Sequence, residues 1–575
     1  MKILSLHCDY IRFKALKPAI KGMKLEKEEE KQVEVKEPLI IFTAVEKQDE
    51  SNKQILEEYV KNILDLKQKI GKVERIVLYP YAHLSSSLSS SDFAKDLMIE
   101  AEAKLKKQKI EVFRAPFGFY KEFELKCKGH PLAELSRSIG ENKAEQHEPE
   151  LTQSQRDNLL KMMGKVHMSA PRGEKDMKSN VELGKELDLY VVSEIVGKGL
   201  PLFTPKGATI RRELERFIVD EELKRDYQYT YTPIMAKSDL YKISGHWQHY
   251  KEGMFVLNVG DETFALRPMT CPFQFVIYKS KPRSHKELPI RYAELSSLFR
   301  NEQSGELRGL TRVRQFTLAD AHIICKPEQL EKEFEQVVDL IKYIMKTLNI
   351  EGGYRFSKWD PKNKEKYIDN PKAWEASQKS MKKILDKLKI KYTEAENEAA
   401  FYGPKLDLQY KDVYGKEDTL ITVQIDFALP ERFDLTYTDE SGKEQRPMVI
   451  HRSSIGCIER TIAYILEKTQ GRLPTWLSPV QVKILSFTER NEKSARKLFE
   501  ELKELGIRAE LDIENGPIQG RVRDAEMQKI PYIIMIGDKE EKAKTLAVRN
   551  NSKVKFGVKT KDFIRETLKE IEEKR

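Results

Sequence analysis

Cysteine is scarce. The five in 575 residues (Cys8, Cys127, Cys271, Cys325 and Cys457) are odd in number, widely scattered and without a CxxC pair, which argues against the disulfide framework of a small secreted protein. Long apolar runs are missing too: no stretch of about 18 apolar residues could cross a bilayer, and the opening MKILSLHCDY is too short an apolar run for a signal peptide. A reducing cytoplasm, with no membrane partner, is the expected setting. Charge of one sign is nearly balanced, 102 Lys+Arg against 92 Asp+Glu, and the resulting +10 is compatible with a nucleic-acid partner without establishing one. Local active-site signatures are absent as well. There is no GxxxxGK[ST], HExxH or GxSxG, so the chain carries none of these P-loop, zinc-protease or serine-hydrolase signatures. No internal repeat is present. What remains is a soluble, charge-rich chain, 39% hydrophobic and 34% charged, long enough for three or four domains.

The most informative stretch is IRYAELSSLFRNEQSGELRGLTRVRQFTLADAHIIC, which predicts two long strands joined by a polar loop. Side chains alternate across a strand, so Glu294, Arg300, Arg312, Phe316, Asp320 and His322 fall on one face. Ala293, Leu295, Phe299, Val313, Ala319 and Ile323 supply the apolar face. Guanidinium forks match phosphate oxygens, so the first face suits a polyphosphate or nucleotide. A solvated sheet face with cross-strand ion pairs would read the same way.

Residues 1–145 read as an α/β module, with strands at ILSLHCDYIRF, PLIIFTAV and ERIVLYP, and with Lys21 to Glu37 as a charged surface connection. A helix carries Phe93, Leu97, Ala101 and Leu105 as an inward stripe. In the strand FGFYKEFELKC, Lys121 shares an apolar row with Phe119, Phe123, Leu125 and Cys127. Either its stem packs and its ammonium reaches water, or burial holds a cation where a negative charge arrives. Residues 146–195 are polar and helical, as expected of a linker. Residues 196–476 form the largest unit, in which Pro233 marks a sheet edge or subunit boundary and SSIGCIERTIAYILEKT is expected to be a helix with Gly456 and Arg460 on one face. Residues 477–575 follow a βαβαβ pattern with no catalytic constellation.

These residues resemble the class II aminoacyl-tRNA synthetases: Pro233 in the first signature, FRNE with RVRQF in the second and GCIER in the third. LRPMTCP, FYGPKLD, VQIDF and VIHRSSIGCIER narrow the resemblance to the threonyl-tRNA synthetases over about 375 residues. YAHLSS and PFGFYKEFELKCKGHPLAELSR resemble the archaeal editing domain, itself similar to D-aminoacyl-tRNA deacylases. The resemblance implies a multidomain α/β and α+β chain: an α/β editing domain, a class II antiparallel sheet with flanking helices, and an anticodon-binding βαβαβ domain. The implied function is ATP-dependent attachment of threonine to tRNA(Thr) by a homodimer, with hydrolysis of seryl-tRNA(Thr).

By the same resemblance Cys271, His322 and His451 hold one zinc. Taken singly each is more readily structural. ATP, with Mg²⁺, is expected on Arg300, Glu302, Arg312, Phe316 and Arg460, and threonine on Asp320, Tyr402 and Gln424. Arg300, Arg460 and Lys405 are the expected catalytic residues. Editing is expected around His83, Tyr120, Lys121, Cys127, His130 and Glu134, with Cys127 a structural thiol rather than a nucleophile. Leu318 and Cys457 depart from the polar residues expected there. Arg549 and the pair Arg521 and Arg523 are candidates for the anticodon loop.

Overall fold

The structure is a computed structural model that describes all residues except 21–24, 26–30, 86, 131, 141–150, 152, 164–167, 169, 364, 515 and 552. Most of the expected charged connection and the expected boundary at 145 thus lie outside the described residues. The chain divides into two compact units, Met1–Leu151 and Thr152–Arg575.

In the first unit the strand Lys2–Pro18 is long enough to serve two sets of partners. Its first part pairs with Pro38–Ala44 on one side and Glu134–Ser138 on the other. Its second part pairs with Phe119–Cys127 and Val33–Lys36. Pro38–Ala44 continues in parallel to Arg75–Pro80 and Glu111–Arg114. Every residue of Pro38–Ala44 is buried, as a strand covered on both faces requires. One cover is the helix pair Ile55–Ile70 and Ser91–Lys107, whose Ile63, Leu66, Leu97 and Ala101 join a core with Ile41 and Leu78. The other is an aromatic layer of Phe13, Phe42 and Tyr79.

The second unit is built on an eight-stranded sheet. Its order is Gln228–Tyr229, Ile290–Phe299, Gln315–Cys325, Met448–Cys457, Glu417–Asp426, Lys405–Lys411, Gly353–Ser357 and Tyr392–Ala395. The pairs are antiparallel except the outermost at each edge. Helices Pro205–Leu223, Leu330–Thr347, Pro371–Lys387 and Ile458–Thr469 share one core with the sheet residues Ala293, Ala319, Ala321 and Ile323. In Leu330–Thr347 the buried Phe334, Val337, Val338, Ile341 and Ile344 recur at helical spacing. Leu183, Leu187, Leu189 and Tyr190, from the stretch read as a linker, pack in this same core.

Two local readings change. SSIGC continues the strand Met448–Cys457 instead of opening a helix, because Ser453 pairs with Asp320 and Cys457 with Leu318 across the ladder. Gly456 therefore sits at a strand end, at φ +77, where a Cβ would stand 2.0 Å from the Leu420 carbonyl oxygen. Val313 also leaves the expected apolar face. It precedes the strand, where alternation no longer applies, and packs with Leu298 and Phe316. The carboxyl-terminal region has the expected parallel strands Val482–Ser486, Ala509–Asp512 and Tyr532–Ile536, extended by an antiparallel hairpin of Thr545–Asn550 and Lys553–Lys559.

Candidate active site and metal centre

The sheet face away from the helices opens into a cavity of about 700 Å³. Arg300, Glu302, Arg312, Phe316, Asp320, Tyr402, Lys405, Gln424 and Arg460 all line it, and so do Cys271, His322 and His451. At one end the Arg300 guanidinium lies 5.0 Å from the Phe316 ring centroid and 6.0 Å from that of Tyr250. Among the described residues its buried Nε has no partner, a donor that an incoming acceptor would satisfy. Arg312 donates to Glu302 at 2.8 Å. Arg460 donates to the backbone oxygens of Thr311 at 3.0 Å and Thr419 at 2.6 Å. Leu318 and Cys457, adjacent across the ladder, make this stretch of wall apolar.

Further along the same strand the lining becomes a donor cluster. His322 and His451 occupy facing register positions on neighbouring strands, and Cys271 begins the helix Cys271–Lys279. One ligand atom from each lies within 4.8 Å of the others, and all three residues are buried. His322 Nδ1 is 2.6 Å from Gln274 Oε1, and His451 Nε2 is 2.7 Å from Asp426 Oδ2. The opposite ring nitrogens remain for the cluster. Burial, with His451 and Arg452 nearby, holds His322 neutral, well below the usual histidine range. Burial and the carboxylates of Asp320 and Asp426 push the Cys271 thiol well up. One thiol and two imidazoles fit a borderline-soft cation such as Zn²⁺.

Asp320 is pushed up to about 6, chiefly by burial. The Tyr402 hydroxyl donates to Gln424 Oε1, and the Tyr402 ring lies 4.8 Å from that of His451. Gly403 lets this turn close on the sheet, since a Cβ there would meet the Ile425 oxygen at 1.8 Å. Lys405 Nζ is 3.3 Å from Asp407.

His246, Gln274 and Asp426 escaped the sequence reading. His246 is 2% exposed, lines the cavity and has an Nε2 with no partner among the described residues. Burial lowers its pKa to about 3. No local spacing marks these three residues. The one available hint is that Gln274 follows Cys271 by a helical turn.

Residues 255–469 match the core-domain model of the class II synthetases for G, H, P, S and T. Residues 1–139 match the archaea-specific editing domain of threonyl-tRNA synthetase, and residues 480–571 an anticodon binding domain. The RNA binding domain of threonyl-tRNA synthetase from Cryptosporidium parvum superimposes with a TM-score of 0.65 at 33% identity, over 68% of this chain and 98% of that one. The chain belongs to the threonyl-tRNA synthetase family. A threonine–tRNA ligase of Clostridium perfringens is 55% identical over 398 residues, 68% of this chain and 62% of that protein. One of Staphylococcus carnosus is 45% identical over 432 residues, 72% of this chain and 67% of that protein. The chain thus spans 62% of the length of the Clostridium relative.

In the unit that matches the family's archaeal editing domain, the expected residues fall into two groups. Lys121 donates to the backbone oxygens of Pro116 and Phe119, each at 3.0 Å, and lies 5.1 Å from the Tyr79 ring centroid. No carboxylate pairs with it in either contact, and burial lowers its pKa to about 8. His83 is exposed against Tyr81, ring centroids 5.4 Å apart. Tyr120 is exposed on the other side of the strand, beside Lys17. Cys127 lies six residues beyond Lys121, about 20 Å along an extended strand. It faces Cys8 across the ladder, and its thiol contacts the backbone oxygens of His7 and Ala133 at 3.5 and 3.8 Å. Burial and the nearby Glu134 push that thiol up, which disfavours a thiolate nucleophile. His130 Nε2 is 2.8 Å from His7 Nδ1.

Of the arginines considered for the anticodon loop, Arg521 is 8% exposed and holds Asp512 and the Ser486 oxygen. Arg549 donates to Glu526 at 2.7 Å.

Proposed function

We propose that the chain activates threonine with ATP, transfers it to tRNA(Thr), and hydrolyses mischarged seryl-tRNA(Thr) in its amino-terminal unit. The observation that carries this reading is the convergence, in one cavity, of the Arg300–Phe316 group and the Cys271–His322–His451 cluster. Phe316 offers a flat platform for adenine. Arg300 meets the α-phosphate with a donor that has no partner among the described residues, while Arg312 and Arg460 hold the outer phosphates and Glu302 the neighbourhood of the base. Mg²⁺ accompanies ATP. A threonine carboxylate oxygen bonds to the α-phosphorus as the bond to pyrophosphate breaks, and a tRNA hydroxyl then bonds to the threonyl carbonyl carbon as AMP leaves. Catalysis is alignment and charge stabilisation by preplaced arginines, with no covalent nucleophile. Lys405 contributes positive charge to the same cavity.

Cys271, His322 and His451 would hold the zinc. Bound there, the metal supplies open positions for the amino and hydroxyl groups of threonine, which valine cannot match through a methyl group. Asp320, Tyr402 and Gln424 line the amino-acid side. Serine carries both metal-binding groups and lacks only a methyl. A missing methyl-sized group gives roughly 10 to 200-fold discrimination, too little for translation, so a second site is required. In that site the Lys121 ammonium stabilises the negative charge that develops as water attacks the seryl ester. His83 and Tyr120 border the Lys121 region, and Cys127, His130 and Glu134 form the more distant group.

The proposed division is editing over 1–145, a linker over 146–195 whose Leu183, Leu187, Leu189 and Tyr190 pack into the core of the unit that follows, class II body over 196–476 and anticodon binding over 477–575. Homodimerisation is supported by the edge strand Gln228–Tyr229 and the exposed Tyr231 and Ile234 around Pro233. A cytoplasmic location fits this role, and among the described residues no helix is long and apolar enough to cross a membrane. The test is aminoacylation of tRNA(Thr), and ATP–pyrophosphate exchange with threonine, valine and serine, each with and without a zinc chelator. Exchange with threonine that survives zinc removal and accepts valine equally well would overturn the reading.

A further inference from the structure

The side of His322 turned away from the metal cluster is held by a buried relay. Gln274 is fully buried. Its amide bridges His322 Nδ1, 2.6 Å from Oε1, and Thr230 Oγ1, 2.8 Å from Nε2. The groups beyond Thr230 decide which way the amide faces. The Glu294 carboxylate receives Arg267 Nη1 at 2.8 Å, the Thr232 hydroxyl at 2.9 Å and the Thr230 hydroxyl at 3.2 Å. The Thr230 hydroxyl also has the Ala293 oxygen within 3.3 Å. Either acceptor takes its one hydrogen, so Oγ1 can only accept from Gln274. The NH₂ end of the amide therefore faces Thr230 and the carbonyl faces His322. A carbonyl cannot donate, so Nδ1 must carry the hydrogen, and in the neutral ring the lone pair then lies on Nε2.

We infer that Gln274 is a positioning residue that locks His322 in the Nδ1–H tautomer, with the Arg267–Glu294 ion pair as the fixed end of the relay. The inference rests on the zinc reading above and names the residue that makes His322 a competent ligand. The two imidazoles are prepared differently. His451 is oriented through Nε2 by the Asp426 carboxylate and presents Nδ1. His322 is oriented through Nδ1 by a neutral amide and presents Nε2. One helical turn carries both the Cys271 thiol and the Gln274 amide, so the ligand and the group that orients its neighbour move as one body.

The experiment measures zinc affinity of the full chain by competition with a chromophoric chelator, without any activity assay, in wild type, Gln274→Met, Gln274→Glu and Thr230→Val. Outer partners of a ligating histidine are worth about 10 to 100-fold in metal affinity. Gln274→Met fills the space without an acceptor and is expected to lose that much. Gln274→Glu keeps an acceptor for Nδ1–H and is expected to stay within a few-fold of wild type, a rescue that mere packing would not produce. Thr230→Val leaves the His322 contact untouched but frees the amide to flip, and is expected to weaken zinc by less than Gln274→Met. Equal affinity in wild type and Gln274→Met, or equal losses in the Met and Glu variants, would overturn the inference, and unchanged affinity in Thr230→Val would overturn the relay. A wild-type chain that takes up no zinc would overturn the zinc reading and this inference together.

Discussion

Replacing Lys121 by methionine should make the amino-terminal unit more stable while removing its hydrolytic activity. Among the described residues no carboxylate pairs with the ammonium, which donates to the Pro116 and Phe119 oxygens, and its pKa drops from 10.5 to about 8 because of burial. At about 1.4 kcal/mol per pKa unit, the charged form costs roughly 3 kcal/mol at neutral pH. Methionine removes that cost and forfeits two hydrogen bonds, worth about 0.5 to 1.5 kcal/mol each. A net gain of roughly 1 kcal/mol remains, a rise of about 2 to 4 °C in the melting temperature of a unit this size. The pH dependence carries a definite sign. The folded chain releases this proton more readily than the unfolded chain, so the penalty is complete below about pH 8 and relieved as pH rises toward 10.5. The advantage of Lys121→Met should therefore be largest at pH 7 and shrink by pH 9.5. Calorimetry of the full chain at both pH values, paired with seryl-tRNA deacylation, checks this. A variant no more stable than wild type at pH 7, with a difference independent of pH, would refute the account of a desolvated cation. Intact deacylation would refute the assignment of Lys121 to editing.

Three further outcomes are expected. Arg300→Ala should lower threonine-dependent pyrophosphate exchange by about 100 to 1,000-fold, and Arg300→Lys should recover little because an ammonium lacks the planar fork; near wild-type exchange would remove Arg300 from the reaction. Cys271→Ser should abolish tight zinc binding, measured as metal per chain after dialysis, because an alcohol at this buried site is a far weaker ligand than a thiolate. Glu222→Gln should destabilise the second unit by about 3 to 5 kcal/mol, since Glu222 pairs at 2.7 Å with Arg452, both about 1% exposed or less; unfolding in urea measures it, and a loss below about 1 kcal/mol would contradict a buried pair.

Period-two alternation made the central strand readable: Phe316, Asp320 and His322 line the cavity while Ala319 and Ile323 enter the core. Alternation ends where pairing ends, so it misplaced Val313. The helical spacing in SSIGCIER misled because the spacing of isoleucines says nothing about the ladder partners that kept Ser453 to Cys457 extended. The Cys271, His322 and His451 cluster was reachable only through family resemblance, since donors delivered by two strands and a helix start leave no local spacing. Gln274, Asp426 and His246 left even less, because a buried amide, carboxylate or imidazole acquires its role from neighbours about 25 to 150 residues away in the chain. The same reasoning applies to the residues expected to edit: one strand contributes Lys121 and Cys127, but shared strand membership does not bring their side chains together.

The register of Gln315–Cys325 has a consequence for how this chain can change over time. It pairs with Ile290–Phe299 from Gln315 to Ile324 and along much of its length with Met448–Cys457, and only its parity separates cavity-lining from core-filling positions. Losing one codon near Thr317 would shift that parity downstream, turning Asp320 and His322 into the hydrocarbon interior and Ala321 and Ile323 toward the cavity. Point substitutions can explore this strand one side chain at a time. Length changes strike binding and folding at once, so the segment should tolerate altered letters far better than an altered count of them.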